Sequence, residues 1–213
     1  MDGLHFIYFA DPMCSWCWGF APVIEQLDAA YGEALPIRLI LGGLRPGTDK
    51  VMSEAAKQST RTHWEHVLEA SGQPFDFGFF ERKDFVYDTD PAARATVLVR
   101  RERPEAALAF LHRAQRAFYA ENRDVTKPHV LAELAAEFGI DREGFAERLE
   151  AEDLKHETWR DYGASQRAGV KGFPTLIAGP NTDGTFGLVT SGFQPAEQIL
   201  PMIERWVATL RAA

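Results

Sequence analysis

The sequence predicts an α/β fold in which a β-α-β unit opens the chain, a long helical stretch interrupts it, and strands return before a final helix. Three observations predict this order. An apolar run, Leu4-His5-Phe6-Ile7-Tyr8-Phe9, leads through Asp11-Pro12-Met13-Cys14-Ser15-Trp16-Cys17 into a helical pattern. From about residue 50 to 168 the apolar residues recur at helical spacing. From Gly169 onward strand-like runs return, the first of them opened by a proline.

The elements follow in order. Residues 4–10 are aromatic and apolar enough for a buried strand. Residues 14–31 form a helix closed by Tyr31-Gly32, with a bend expected at Pro22, which removes the N–H that would bond the Trp18 carbonyl. Residues 35–41 form a second strand, parallel to the first because a helix links them. The loop Gly42-Gly43-Leu44-Arg45-Pro46-Gly47 then leaves the carboxyl edge of the sheet, either as a ligand loop or as a flexible exit. One helix lies between Val51 and Ala70 and ends at Ser71-Gly72. Residues 73–88 are irregular, with Phe75, Phe77, Phe79, Phe80, Phe85 and Tyr87 expected as core beneath a long loop or as lining of an apolar groove. Asp90-Pro91, Pro104, Thr126-Lys127-Pro128 and Asp141 each open a helix, with Asp90, Thr126 and Asp141 as caps, and a last helix covers 153–168. Pro174–Ala178 and Phe186–Thr190 flank a turn through Thr182 and read as a hairpin. Pro195 opens the terminal helix, whose face carries Ile199, Ile203, Trp206 and Leu210.

The only two cysteines sit at the first strand-to-helix junction. On a helix starting near Met13, Cys14 and Cys17 lie on one face of the first turn, close enough for a disulfide. That turn carries unpaired N–H groups and the positive end of the helix dipole, and both favour an anionic sulfur at Cys14. The pair therefore reads as a dithiol that opens and closes, with Cys14 attacking and the deeper Cys17 resolving. Two other readings of the pair stand beside it. It is half of a metal site completed by His63 and His66, although no second Cys-x-x-Cys exists, or it is two small buried apolar residues. Ser15 and Trp16 flank the sulfurs; Trp16 and Trp18 are candidates for an apolar platform, and Asp11 for a proton relay or a turn cap.

Cys14-Ser15-Trp16-Cys17, followed far downstream by Gly172-Phe173-Pro174-Thr175, resembles the thioredoxin superfamily. Pro22, eight residues after Cys14, matches the helix-kinking proline of thioredoxins, and the long insert resembles the DsbA branch with its FrnE-like bacterial members. The resemblance implies a thioredoxin fold built from residues 1–48 and 169–213, with 49–168 as an inserted helical subdomain. It implies a cis Phe173–Pro174 bond facing the cysteines, with Phe173, Pro174 and Thr175 meeting the substrate backbone. It implies a thiol-disulfide oxidoreductase of protein disulfide isomerase or reductase type, acting on protein or peptide thiols and disulfides. No cofactor or metal beyond the redox-active disulfide is expected, and glutathione is a candidate reductant. Lacking the histidine of DsbA between its cysteines, this chain is expected to be a weaker oxidant than DsbA. The related kappa glutathione transferases and hydroxychromene carboxylate isomerases lack the cysteine pair, so a glutathione-linked transferase or isomerase on a small molecule is the alternative, and a metal-binding non-enzyme a third.

Composition narrows the partners. The chain has 213 residues, 46% of them hydrophobic, and a formal charge of −8, which disfavours nucleic acid and anionic membrane as partners. Two cysteines leave no structural disulfide framework. No apolar run approaches a membrane span, and no Lys or Arg or small-residue cleavage pattern accompanies the first apolar run. A cytoplasmic protein is expected.

Overall fold

The computed structural model describes residues 3–181 and 183–212, with side chains to 209. Thr182 and the Leu210 side chain, assigned above to the hairpin turn and the terminal helix face, lie outside the described residues. Four strands form one mixed sheet: β1 (His5–Ala10), β2 (Ile37–Leu41), β3 (Thr175–Gly179) and β4 (Gly187–Ser191), in the order β2-β1-β3-β4. β1 and β2 run parallel, while β3 is antiparallel to both β1 and β4. Eight α-helices complete the described chain: α1 (Ser15–Tyr31), α2 (Glu54–Ser71), α3 (Asp90–Glu102), α4 (Ala107–Tyr119), α5 (Pro128–Ala136), α6 (Phe145–Leu149), α7 (Glu152–Arg167) and α8 (Ala196–Ala212). Short 3-10 turns cover Phe77–Glu81 and Pro104–Ala106. This is the thioredoxin fold with a helical insertion of the DsbA type.

Local chemistry explains most boundaries. α2 starts on the Ser53 side chain, which accepts the Ala56 N–H, and stops at Gly72, whose φ of 72° suits a residue without Cβ. Pro22 lies inside α1 without ending it. The Trp18 carbonyl that Pro22 leaves unbonded is taken by the Gln73 side chain at 3.2 Å, so the proline ties α1 to the segment after α2.

The three acidic and hydroxyl caps expected for the inserted helices are corrected. Thr89 holds the N-cap of α3, while Asp90 sits inside the first turn and pairs with Arg94 and the Tyr162 hydroxyl. Asp88 accepts the Asp90 N–H in its place. Asp124, not Thr126, organises the turn before α5, and Asp141 closes a turn on the Glu143 N–H before Gly144 opens α6. An aspartate that can bond the backbone two residues on stabilises a turn as readily as a helix start, and sequence spacing does not distinguish the two.

The outer edge of β2 is protected by side chains. Asp161 on α7 accepts the Leu41 N–H at 3.0 Å, and Arg100 on α3 donates to the Leu39 carbonyl at 2.9 Å and to Asp161 at 2.7 Å. The basic cluster at Arg100-Arg101 thus binds α7 and satisfies a sheet edge that would otherwise face an open cleft. Sheet and insert share one continuous apolar core. Its aromatic centre is Trp64, fully buried, with the rings of Phe75, Phe79, Phe80, Phe118 and Tyr119 at centroid distances of 4.8–5.9 Å. Of the aromatics between 73 and 88, Phe79, Phe85 and Tyr87 are buried, which makes the core reading of that loop the larger part of the answer.

Candidate active site

Cys14 stands at the N-cap of α1 with extended backbone (φ −95°, ψ 114°), and the helix begins one residue later. The residue is only 6% exposed, and its thiol is directed at the Phe173 carbonyl, 3.6 Å away across 159 residues of chain. Cys17, in the first turn, is fully buried. Both are free thiols. Burial pushes the Cys17 thiol well above its usual range, and the adjacent Cys14 sulfur adds to the shift. The two sulfurs therefore differ: one at the surface of a cleft, the other held neutral behind it.

The Phe173–Pro174 peptide is cis, as is Gly179–Pro180. Pro174 precedes β3, where its missing N–H interrupts no ladder, and the Thr175 hydroxyl closes the turn on the Gly172 carbonyl at 2.8 Å. The Phe173 ring packs against Gly42, where an added Cβ would come within 2.1 Å of it. Gly43, with φ of 69°, is packed against the Tyr162 ring in the same way. The loop after β2 is thus a packed wall of the site, a role the two glycines permit.

A cavity of about 210 Å³ opens beside Cys14, walled by Ser15, Trp16, Leu44, Arg45, His63 and Phe173 among others. Larger clefts lie between α1 and α4 and along the β2 edge, and neither touches a sulfur. Trp16 leans on Phe193, with ring centroids 5.6 Å apart. Trp18 turns elsewhere: its indole N–H donates to the Pro74 carbonyl at 3.1 Å and its ring stacks on Tyr119. It holds α1 to the insert and does not line the cavity. His63 enters the site alone, and among the described residues no three His, Cys, Asp or Glu side chains converge in a way that could hold a metal.

Asp11 is fully buried, and its carboxylate accepts the Met13 N–H at 2.9 Å and the Leu44 N–H at 2.8 Å. It therefore fastens the cysteine turn to the glycine loop. Burial pushes its pKa up to about 6, against the pull of those two N–H groups. An acid whose folded pKa exceeds its unfolded value holds its proton more tightly when folded, so its contribution to stability falls as pH rises from about 3.8 to about 6. We expect the stability difference between the wild type and Asp11→Asn to shift by about 2 kcal/mol in favour of the asparagine variant between those limits. Urea unfolding of both proteins on either side of the window measures it, and a constant difference would refute the assignment.

Residues that no motif marked complete the site. The Tyr87 hydroxyl donates to the Met13 carbonyl at 2.9 Å, and the Arg45 guanidinium lies over the Tyr87 ring at 5.0 Å. Arg45, Thr60 and His63 reach the cavity from the glycine loop and α2. The sequence offers His63 only as a metal ligand beside His66 and Arg45 only by its position on a loop leaving the carboxyl edge of parallel strands, and it gives no signal for Thr60.

A Cys-x-x-Cys pair at the start of the first long helix, faced by the loop that opens β3, defines a dithiol protein of the thioredoxin fold. The chain belongs to the DSBA-like thioredoxin domain family, whose pattern matches residues 6–200. It is similar to a crystal structure of a Nitrosomonas europaea protein proposed to be a disulfide isomerase, with 33% identity and a TM-score of 0.88 over 98% of this chain and 99% of that one. It is also similar to the cytosolic disulfide reductase DsbM of Pseudomonas aeruginosa, with 28% identity and a TM-score of 0.76 over 98% of this chain and all of that one. A second solved structure of that protein is with GSH. Among curated proteins, the ClpXP adapter protein SpxH of Halalkalibacterium halodurans is 22% identical over 94% of this chain and 67% of its own length. The chain thus spans about two thirds of that relative and of the Shouchella clausii SpxH, and 57% of the Bacillus subtilis SpxH. No described helix is long and apolar enough to cross a membrane.

Proposed function

We propose that this protein is a cytoplasmic thiol-disulfide oxidoreductase that reduces or reshuffles disulfides of proteins or peptides through Cys14 and Cys17. The observation that carries the reading is the position of the Cys14 thiol: at a helix start, beside an open cavity, 3.6 Å from the Phe173 carbonyl, with Cys17 buried behind it. The Cys14 thiolate attacks a substrate disulfide and forms a mixed disulfide, and one substrate sulfur leaves as a thiol. Cys17 then attacks the Cys14 sulfur, the protein becomes oxidised, and the second substrate sulfur is released reduced. Asp11 is ionised at neutral pH and takes the Cys17 proton as that step begins. Phe173 and Thr175, flanking Pro174, offer backbone to an extended substrate segment.

Glutathione is the proposed reductant returning the disulfide to the dithiol. Arg45 supports this: it reaches the cavity, and among the described residues it forms no ion pair, so it is free for a carboxylate. The direction follows from the residues between the cysteines. Ser15 and Trp16 carry no positive charge to stabilise a thiolate, so the disulfide should be harder to reduce than that of a strong oxidant. We expect a reduction potential between about −180 and −270 mV, read by equilibration in glutathione buffers with thiol trapping. A value above about −140 mV would make the protein a dedicated oxidant and defeat the proposal.

A further inference from the structure

We infer that Tyr8 is a functional residue of the dithiol: its hydroxyl donates a hydrogen bond to the Cys17 sulfur whenever that sulfur is a thiolate. The inference rests on the oxidoreductase reading above. Tyr8 is fully buried in the centre of β1, between Leu39 and Leu176 of the neighbouring strands. Phe6, Tyr8 and Ala10 share one face of the sheet. α1 lies on that face, since the Tyr8 ring meets Phe20 at a centroid distance of 6.1 Å. Cys17 is one helical turn before Phe20, so it points to the same side, and it too is fully buried. In the dithiol the Tyr8 hydroxyl makes no hydrogen bond of good geometry, and the Cys17 side chain is a hydrogen-bonding group within its reach.

A buried hydroxyl without a partner is costly, and phenylalanine in this apolar setting would avoid the cost. The orphan donor therefore has a use in another state of the protein. Burial pushes the acidity of Tyr8 far down, and Cys17 and then Cys14 are the neighbouring charges that push it further, which places the phenol beside the sulfur pair. It remains a neutral donor throughout.

Cys17 is anionic twice in the cycle. When the mixed disulfide resolves, Cys17 loses its proton, attacks the Cys14 sulfur and forms the Cys14–Cys17 bond as the substrate thiolate departs. When a thiol such as glutathione reduces the protein, the incoming thiolate bonds to Cys14, the Cys14–Cys17 bond breaks, and Cys17 leaves as a thiolate. In both directions a negative sulfur forms in a site that burial makes hostile to it. The Tyr8 O–H is then a donor already in place, and no proton need leave the phenol. Asp11 and Cys14 are the other titratable groups acting on Cys17, and the Asp11 charge opposes the thiolate until Asp11 takes the proton.

The test uses Tyr8→Phe in two backgrounds. With both cysteines present, rapid mixing with a disulfide-bonded peptide separates formation of the Cys14 mixed disulfide from its resolution. We expect formation at the wild-type rate and resolution slower by about tenfold, the scale of one hydrogen bond to a charged group. With Cys14→Ser added, thiolate absorbance against pH reads the ionisation of Cys17 alone, and its midpoint should rise by about one pH unit. A purely structural tyrosine would move neither resolution alone nor this midpoint, so unchanged values overturn the inference. Should the phenylalanine variant fail to fold, 3-fluorotyrosine at position 8 keeps the shape and makes a stronger donor. The midpoint must then fall and resolution accelerate, and no change overturns the inference. The Cys17 midpoint needs no turnover, so a wild type inactive on disulfides would defeat the functional reading while leaving Tyr8 separately decided.

Discussion

Cys14→Ser is expected to leave no disulfide exchange at all, whereas Cys17→Ser is expected to stop at the mixed disulfide and accumulate it. The asymmetry follows from the surroundings of two identical side chains. Only the sulfur at the N-cap reaches the cavity, where a substrate disulfide can approach along the line of attack. Cys17 has no exposed surface, and burial keeps it protonated near neutral pH. A serine hydroxyl forms no disulfide, so Cys14→Ser removes the first step and Cys17→Ser only the second. Two measurements check this: turnover of a disulfide-bonded protein substrate, and acid-quenched gels of each variant mixed with it. Alkylation of the reduced wild type at neutral pH should label Cys14 alone. Faster labelling of Cys17, or a covalent complex trapped by Cys14→Ser, would reverse the assignment.

Trp64→Ala should be the most damaging single change away from the sulfurs. Trp64 is fully buried at the centre of five aromatic rings drawn from the 73–80 loop and from α4. Truncation removes the largest buried side chain and leaves a cavity that rigid rings on several elements cannot close together. Such changes cost about 3–5 kcal/mol, a large share of the total stability of about 5–15 kcal/mol typical of a folded domain. Trp64 also walls the cavity beside Cys14, so the same change should weaken substrate turnover in the fraction that stays folded. Urea unfolding midpoints measure the loss. Trp64→Phe, which keeps an aromatic ring and leaves no unpartnered indole N–H, should lose much less. A loss below about 1 kcal/mol for the alanine variant would show that the cluster repacks around the gap.

What the sequence determined by itself was local. The apolar run of β1, the breaker at Gly72, the prolines that open α5, β3 and α8, and the cysteine spacing each act over a few residues, and each can be read where it stands. Order along the chain and the identity of the paired cysteines follow from such signals. So does the parallel pairing of β1 and β2, because a helix crossover between adjacent strands leaves little else. The caps at Asp90, Thr126 and Asp141 misled because a local bond from a carboxylate or hydroxyl serves a turn and a helix start equally well.

Only the tertiary structure decided which distant residues meet. The resemblance sets the Phe173–Pro174 loop opposite the cysteines, but nothing within a few residues of Phe173 says that its ring needs a bare backbone at Gly42. Trp16 and Trp18 are two residues apart and look alike in sequence. The helix sends one to the cavity and the other to Pro74, because positions two apart on a helix face different ways. Tyr87 reaches Met13 across 74 residues, and Asp11, a candidate from the sequence, finds Leu44 across 33. Packing of whole elements sets those contacts, and neither hydrophobic period nor residue spacing carries that information.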